Sequence, residues 1–342
     1  MVTSLRRGLI AGSGVALVAI ASGGALATPA QAATAGTPAS ASVVDSGTVR
    51  FTAAAGTTNS LTVTSADRTV TFDDRVAIRA GEGCAPVRGD RTKVRCTTSE
   101  TTRWIHVAVG DGNDKVTNKS NINIVAYGGA GNDTLTGGSS HDTLYGDAGN
   151  DTLRGGDGVD GMFGGRGTDV LHGGPDADYL DGGSGADTLR GGSGSDYANY
   201  GHRTAAVVVD LDNARGDDGA KGERDTVGGD IENIIGGHGA DILTGNSGVN
   251  SISGGAGNDV IRGGAGDDGL VGGSGNDRVY GQGGDDVLLG EPSPPRESGE
   301  DLGSDAALDR VDGGTNTAVG DACYVRAAGV VVNCEHEADT TE

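Results

Sequence analysis

From Gly128 the sequence reads GGAGNDTLT, GGSSHDTLY, GDAGNDTLR and GGDGVDGMF, four consecutive units of nine residues. The period continues through GGRGTDVLH, GGPDADYLD, GGSGADTLR and GGSGSDYAN to Asn199. It resumes at Gly236 with GGHGADILT, GNSGVNSIS, GGAGNDVIR, GGAGDDGLV, GGSGNDRVY and GQGGDDVLL, ending at Leu289. One further copy, GDGNDKVT, lies at residues 110–117, before the continuous run of the first block. A fixed short period predicts a solenoid, in which each unit packs against its neighbours.

Two positions of the unit keep their chemistry. The eighth position is apolar in all 15 copies, and the sixth is Asp in 14 of them, with Asn250 as the exception. The sixth-position residues are Asp114, Asp133, Asp142, Asp151, Asp160, Asp169, Asp178, Asp187, Asp196, Asp241, Asp259, Asp268, Asp277 and Asp286. Good turn formers on a solvated surface would explain one such unit, but not two columns held in phase.

The spacing has a direct structural reading. Gly at the first, second and fourth positions permits a tight turn with positive φ and leaves backbone carbonyls open to a ligand. The last three residues form a short strand whose middle side chain points inward, and two units make one coil. Turns from alternate units then stack about 4.8 Å apart, which brings carboxylates together. A hard cation with six to eight oxygen ligands relieves their repulsion, and calcium suits this irregular geometry better than magnesium.

The unit G-G-x-G-x-D-x-apolar-x resembles the haemolysin-type calcium-binding repeat of RTX proteins. The resemblance implies an all-β fold, a parallel β-roll of two repeat blocks (110–199 and 236–289). It also implies calcium ions between successive turns, about ten in all if each joins units two apart. Their ligands would be the sixth-position Asp side chains and turn carbonyls such as those of Gly129, Gly131, Gly183, Gly185, Gly255, Gly257, Gly264, Gly266, Gly273 and Gly275. Several units depart from the pattern: Ser140 and Asp176 replace the fourth Gly, and Asp147, Asn246 and Gln282 replace the second.

The composition fits a fold that depends on a ligand. Gly accounts for 66 of 342 residues, aromatic residues for only 3%, and the net charge is −23. So little bulky apolar surface cannot build an ordinary core. The acidic charge argues against nucleic acid as a partner and favours cations.

The N-terminus predicts export. Arg6 and Arg7 precede a weakly interrupted apolar stretch, and Ala30-Gln31-Ala32 supplies a small-residue cleavage site. Residues 1–32 are therefore interpreted as a signal peptide cleaved after Ala32, which predicts a secreted, extracellular protein. The Arg pair also resembles a twin-arginine signal, so the export route stays open. No other segment is long and apolar enough to be predicted as a membrane span.

Four cysteines follow the signal: Cys84, Cys96, Cys323 and Cys334. Four cysteines allow three pairings. In an oxidising compartment the two closely spaced pairs, Cys84 with Cys96 and Cys323 with Cys334, favour two local disulfides. A zinc site is less favoured because no C-x-x-C spacing occurs.

The remaining segments are assigned from local patterns. Residues 33–46, rich in Ala, Ser and Thr, are predicted to be a disordered stem. Residues 47–109 alternate apolar and polar side chains and predict a small β-domain. Residues 200–235 are predicted to be a β insertion, and 290–342 a linker with a disulfide-containing cap at the open end of the roll. Asp210, Asp212, Asp217 and Asp218 could bind a further ion, although a solvated loop is favoured.

No catalytic motif stands out. G-x-G-x-x-G occurs at 156–161 and 264–269, but only as a by-product of the period, and neither H-E-x-x-H nor G-x-S-x-G is present. The sequence therefore favours a secreted, non-enzymatic calcium-binding protein. The alternatives are a calcium-stabilised adhesin or surface-binding module and, less favoured, an accessory domain of an exported hydrolase. The sequence does not specify a protein or glycan partner.

Overall fold

The computed structural model describes residues 37–290, 310–314, 322–324, 330–332, 334 and 336–337. Every regular element in these ranges is a β-strand, and no helix that could cross a membrane is found among them. The predicted signal peptide and most of the region after Leu289 lie outside the described residues. The predicted all-β fold class is confirmed.

The N-terminal strands build the first coils and cover the end of the roll. They are β1 (Ser40–Asp45), β2 (Thr48–Thr52), β3 (Ser60–Ala66), β4 (Thr69–Asp73), β5 (Arg79–Ala80), β6 (Cys84–Val87), β7 (Asp90–Thr97), β8 (Trp104–Ala108) and β9 (Lys115–Asn118). β2 pairs in parallel with β8, and β3 with β9, whereas β1, β4, β6 and β7 form antiparallel pairs.

The first repeat block contains β10 (Asn123–Ala130), β11 (Thr134–Gly138), β12 (Thr143–Ala148), β13 (Thr152–Gly156), β14 (Gly161–Gly167), β15 (Val170–Pro175), β16 (Tyr179–Gly185), β17 (Thr188–Ser193) and β18 (Tyr197–Asn199). The insertion contains β19 (Val207–Asp210), β20 (Gly219–Ala220), β21 (Thr226–Val227) and β22 (Asn233–Ile235). The second block contains β23 (Ile242–Thr244), β24 (Ser251–Ala256), β25 (Val260–Ala265), β26 (Gly269–Ser274), β27 (Arg278–Gly283) and β28 (Val287–Leu289). After it come β29 (Arg310–Asp312), β30 (Ala322–Tyr324), β31 (Val330–Val332) and β32 (His336–Glu337).

These strands form three sheets around one roll. A 15-stranded sheet runs β32-β30-β28-β26-β24-β22-β18-β16-β14-β12-β10-β8-β2-β1-β5 along the whole of one face. The opposite face is divided into a 10-stranded sheet, β21-β17-β15-β13-β11-β9-β3-β4-β7-β6, and a 7-stranded sheet, β20-β19-β23-β25-β27-β29-β31. Within the blocks each strand pairs in parallel with the strand two units away, so Leu135 faces Leu153 and Leu144 faces Met162. Two units therefore form one coil, as predicted.

The core is narrow and consists of two rows of inward-pointing side chains, one from each face of the roll. Leu135, Leu144, Leu153, Met162 and Leu171 all occupy the eighth position and are fully buried. On the outer side of the 15-stranded sheet, the rings of Tyr127, Tyr145 and Phe163 stack with centroids 4.8 and 4.9 Å apart. This separation is the ordinary spacing between paired strands, so register alone brings the rings together.

Glycine is required in the turns because successive turns touch. Gly167 has φ of +140°, and a side chain there would overlap the carbonyl oxygen of Gly149 in the preceding coil. Three residues that replace turn glycines still adopt positive φ: Asp147 (70°), Asp176 (73°) and Gln282 (78°). The strands also run through the paired glycines, to five to seven residues in β11 to β17, so the prediction of three-residue strands was too short.

Three segments differ from the sequence-based division. The predicted disordered stem is wrong for Ser40–Asp45, which form β1, because Ala39 and Ala41 are buried against the end of the core. Residues 47–109 share their sheets and their core with the repeats instead of standing apart. The insertion likewise contributes β21 and β22 to the two sheets of the first block.

Both predicted disulfides are present. Cys84 is bonded to Cys96 between β6 and β7, and Cys323 is bonded to Cys334. β29 pairs with β27 and β30 with β28, so the described C-terminal strands extend the stack.

Candidate metal centre

The sixth-position Asp residues lie inside the roll. Each comes directly before a strand, and alternation along that strand turns its side chain to the same side as the apolar eighth position. All 14 side chains are 0–3% exposed. A carboxylate is almost never this deeply buried without a partner, so the hydrogen bonds of each oxygen decide what the column can do.

One oxygen of each carboxylate is hydrogen-bonded along the roll. Asp151 Oδ1 accepts the backbone N–H of Asp133 at 2.7 Å, and Asp160 Oδ1 accepts that of Asp142 at 2.7 Å. The same bond links Asp241 N to Asp259 Oδ1 at 2.8 Å in the second block. These bonds form a ladder with one step per coil and fix the orientation of every carboxylate.

The second carboxylate oxygen, Oδ2, has no such hydrogen bond in most of these residues. Oδ2 is buried and has no hydrogen-bond partner within the protein in eleven described residues: Asp114, Asp133, Asp142, Asp151, Asp160, Asp169, Asp178, Asp187, Asp196, Asp259 and Asp268. A buried carboxylate oxygen without a partner costs roughly several kcal/mol of free energy, because the charge has lost its contact with water. Eleven such oxygens therefore form a repeated set of buried acceptors that a ligand could satisfy.

A backbone oxygen faces each leftover carboxylate oxygen. A methyl group on Gly164 would come within 2.6 Å of Asp169 Oδ2 and 2.5 Å of the Gly182 carbonyl oxygen. Gly164 and Gly182 occupy the first position of units one coil apart. Carboxylate and carbonyl oxygens thus converge on the space that the missing side chain leaves open, and this donor set is the one that calcium prefers.

Burial disfavours the charged form of these acids. It raises the pKa of Asp160 and Asp187 to about 8, against the partial compensation of a backbone N–H. The pKa of Asp142 and Asp268 rises to about 7 for the same reason. A divalent cation beside Oδ2 would reverse the effect by favouring the charged form.

The turn carbonyls named from the sequence have a different environment. Those of Gly131, Gly255, Gly257 and Gly266 lie against the α-carbon region of the equivalent glycine one coil later. Whether the carbonyls of the second- and fourth-position glycines contact a cation stays a prediction. The sequence argument included the first-position carbonyls, and Gly fills that position in all 14 contiguous units, but the glycines named as examples came only from the second and fourth positions.

Two acids outside the predicted set continue the ladder. Asp225 Oδ1 accepts the N–H of Asp187 at 2.9 Å, and Glu232 Oε2 accepts that of Asp196 at 2.8 Å. Their signal was visible in the sequence, because Asp225-Thr226-Val227 keeps the order acid, any residue, apolar residue of positions six to eight.

The acidic loop of the insertion brings three carboxylates together. Oxygens of Asp210, Asp212 and Asp217 lie within 4.8 Å of one another, and Asp212 and Asp217 are exposed. Asp218 is instead buried and hydrogen-bonded. Asp210 is half-buried, and its Oδ1 has no hydrogen-bond partner. Whether this loop is only solvated or binds a further ion stays a prediction.

The chain is a parallel β-solenoid whose interior presents phased carboxylates beside the carbonyls of first-position glycines. Residues 127–162, 163–198, 227–261, 235–270 and 262–292 match the family model described as the RTX calcium-binding nonapeptide repeat. The repeats of this chain are therefore RTX calcium-binding repeats. The third of these matched segments starts at residue 227, nine residues before the predicted second block, and so includes Glu232. Comparison with curated proteins gives no significant match.

Proposed function

We propose that this is an exported, non-enzymatic calcium-binding protein whose roll requires calcium to fold. The observation that carries the proposal is the row of buried Oδ2 atoms without partners. Burial is the main cause of the raised pKa of Asp133, and the neighbouring carboxylates of Asp114 and Asp151 raise it further. Calcium supplies the missing positive charge and accepts six to eight oxygen ligands in irregular geometry.

The residues that would hold the ions follow from the site. Each sixth-position Asp whose Oδ2 has no partner in the protein would contribute that oxygen, while its Oδ1 stays on the ladder and keeps the side chain in place. Carbonyls of first-position glycines such as Gly182 contribute backbone oxygens. Because the site repeats along the roll, we expect several ions per chain, up to about ten if each links units two apart.

Export agrees with this dependence on calcium. The sequence before residue 33 has the pattern of a signal peptide, and the two disulfides suit an oxidising compartment. Extracellular calcium-binding modules have dissociation constants of roughly 10⁻⁴–10⁻³ M. With an affinity of that order the roll would stay unfolded before export and fold outside the cell.

Circular dichroism of the mature chain tests the proposal. A chelator should convert the β spectrum into that of a largely disordered chain, and added calcium should restore it, since metal binding and folding are coupled. Magnesium at the same concentration serves as the control and should restore little. A β spectrum unaffected by chelator, or only one or two ions per chain by elemental analysis, would contradict the proposal.

A further inference from the structure

The two repeat blocks join without a break in the roll. The 15-stranded sheet passes through β22, while on the opposite face β21 ends one sheet and β19 and β20 begin the next. Asp218 links these two strands across the gap. Its Oδ1 accepts the N–H of Asp210 in β19, and its Oδ2 accepts that of Val227 in β21, both at 2.8 Å.

Three acids at this junction, Asp218, Asp225 and Asp241, differ from those of the blocks, because protein groups satisfy both of their oxygens. Asp210 and Asp230 are exceptions, since one oxygen of each is buried without a hydrogen-bond partner. Asp225 Oδ2 accepts a hydrogen bond from the buried Tyr200 hydroxyl at 3.1 Å. Asp241 Oδ2 accepts the N–H of Gly237 at 2.7 Å, while its Oδ1 accepts that of Val207. Neither Asp225 nor Asp241 therefore has a carboxylate oxygen without a partner, unlike most of the sixth-position Asp residues of the blocks.

Asn250 completes the pattern by removing a charge. It holds the sixth position of its unit, its Oδ1 accepts the N–H of Asn246 at 2.8 Å, and its Nδ2 donates to the Glu232 carbonyl at 2.9 Å. The amide side chain has both a donor and an acceptor, so backbone groups satisfy both of its polar atoms. A carboxylate at this position would leave one oxygen without a donor and would need a cation.

The junction also has its own stabilising contacts. Tyr200, Val207, Leu211 and Ile231 are at most 3% exposed. Beside them Arg203 forms an ion pair with Glu223 at 2.9 Å, and both side chains are largely buried.

From these contacts we propose that the junction, residues 200–250, is a calcium-independent segment that stays folded when calcium leaves the two flanking blocks. The inference rests on the proposed function and adds to it an internal division of the roll. In a solenoid each unit is stabilised by its neighbours, so a persistent central segment supplies a template from which both blocks refold when calcium returns.

Hydrogen exchange of the full mature chain, followed by mass spectrometry during a calcium titration, tests this division. At calcium concentrations low enough to expose the blocks, amides of 200–250 should exchange about tenfold or more slowly than those of 128–196 and 254–286. On addition of calcium, protection should return first in the units that adjoin the junction.

A pair of tyrosine variants tests whether hydrogen bonds to the junction acids keep this segment folded without calcium. Tyr200→Phe removes the donor to Asp225 Oδ2, so exchange of the junction in chelator should accelerate about tenfold, with recovery in saturating calcium. Tyr197→Phe is the matched control, because that half-buried ring points outward from β18, and it should leave exchange unchanged.

A second pair of variants, at Asn250 and Asn258, tests the same inference if Tyr200→Phe fails to fold. Asn250→Asp introduces a buried charge beside Glu232 and should make the junction calcium-dependent. Asn258→Asp adds the same charge at an exposed fifth position and should not. Loss of protection at the same calcium concentration throughout the chain, or equal behaviour within both pairs, would overturn this inference alone. Protection unaffected by chelator everywhere would overturn the proposed function and the inference with it.

Discussion

At the residue scale, Asp267 and Asp268 are adjacent acids in contrasting environments. Asp268 is 2% exposed with an unsatisfied Oδ2, whereas Asp267 is exposed at the surface of the turn. We expect Asp268→Asn to weaken calcium binding in the second block about tenfold or more, because a charged ligand is lost. Calcium titration by calorimetry would measure the effect.

Asp267→Asn is the matched control, since it removes the same charge one residue away. It should change calcium affinity only through weak long-range electrostatics, less than about twofold at physiological ionic strength. Equal losses in the two variants would mean that the general negative charge of the roll binds calcium, and not the buried column.

Ile261 and Arg262 test which side chains point inward. Ile261 is fully buried, so Ile261→Ala should lower the free energy of unfolding by about 2–5 kcal/mol in calcium. Arg262 lies on the outer face with its guanidinium 5.8 Å from the Tyr280 ring centroid. Its replacement by Ala should cost at most about 1 kcal/mol.

Chemical denaturation of both variants at a fixed calcium concentration measures these costs. An Arg262→Ala variant as unstable as Ile261→Ala would show that the strand phase is wrong in the second block.

At the scale of one element, the turn depends on close approach between coils. Gly167→Ala places a methyl group against the Gly149 carbonyl at a φ that Ala rarely adopts, so we expect a loss of about 1–3 kcal/mol. Gly269→Ala is the control, because φ there is ordinary and nothing lies within 4 Å of the new methyl group. Thermal unfolding in saturating calcium should separate the two; similar melting temperatures would contradict turn stacking.

At the scale of the whole molecule, the raised pKa values predict how pH acts on the calcium-free chain. The folded pKa of Asp160 is about 8, above its ordinary value of 3.8. The folded state therefore binds more protons than the unfolded state between these values, and stability falls as pH rises through them. We expect calcium-free protein to gain β-structure and a higher melting temperature as pH is lowered from about 8 to about 5.

Calcium should reverse this trend, because protons compete with the ion for the same carboxylates. The loaded protein should need more calcium at pH 5 than at pH 8 for half-saturation. Circular dichroism melts across this range, with chelator and with calcium, measure both. A calcium-free melting temperature independent of pH would contradict the assignment of buried, protonatable acids.

The sequence by itself determined the period, the inward apolar column, the acid column and the family of the repeats. These follow from spacing within nine residues and from alternation along a strand, which are local properties. The pairing of the four cysteines was also predicted correctly, because each pair closes a short loop.

Only the tertiary structure decided how each acid is used. The ladder joins residues 18 apart within a block, and Asp187 is joined to Asp225, which lies 38 residues later in the insertion. Whether a second oxygen meets a hydroxyl, an amide N–H or nothing depends on how the chain folds around it, as Asp225, Asp241 and Asp160 show. The strand at Ser40–Asp45 was missed because its small residues resemble the Ala-, Ser- and Thr-rich segment before it, whereas burial of Ala41 against the end of the core depends on the tertiary structure.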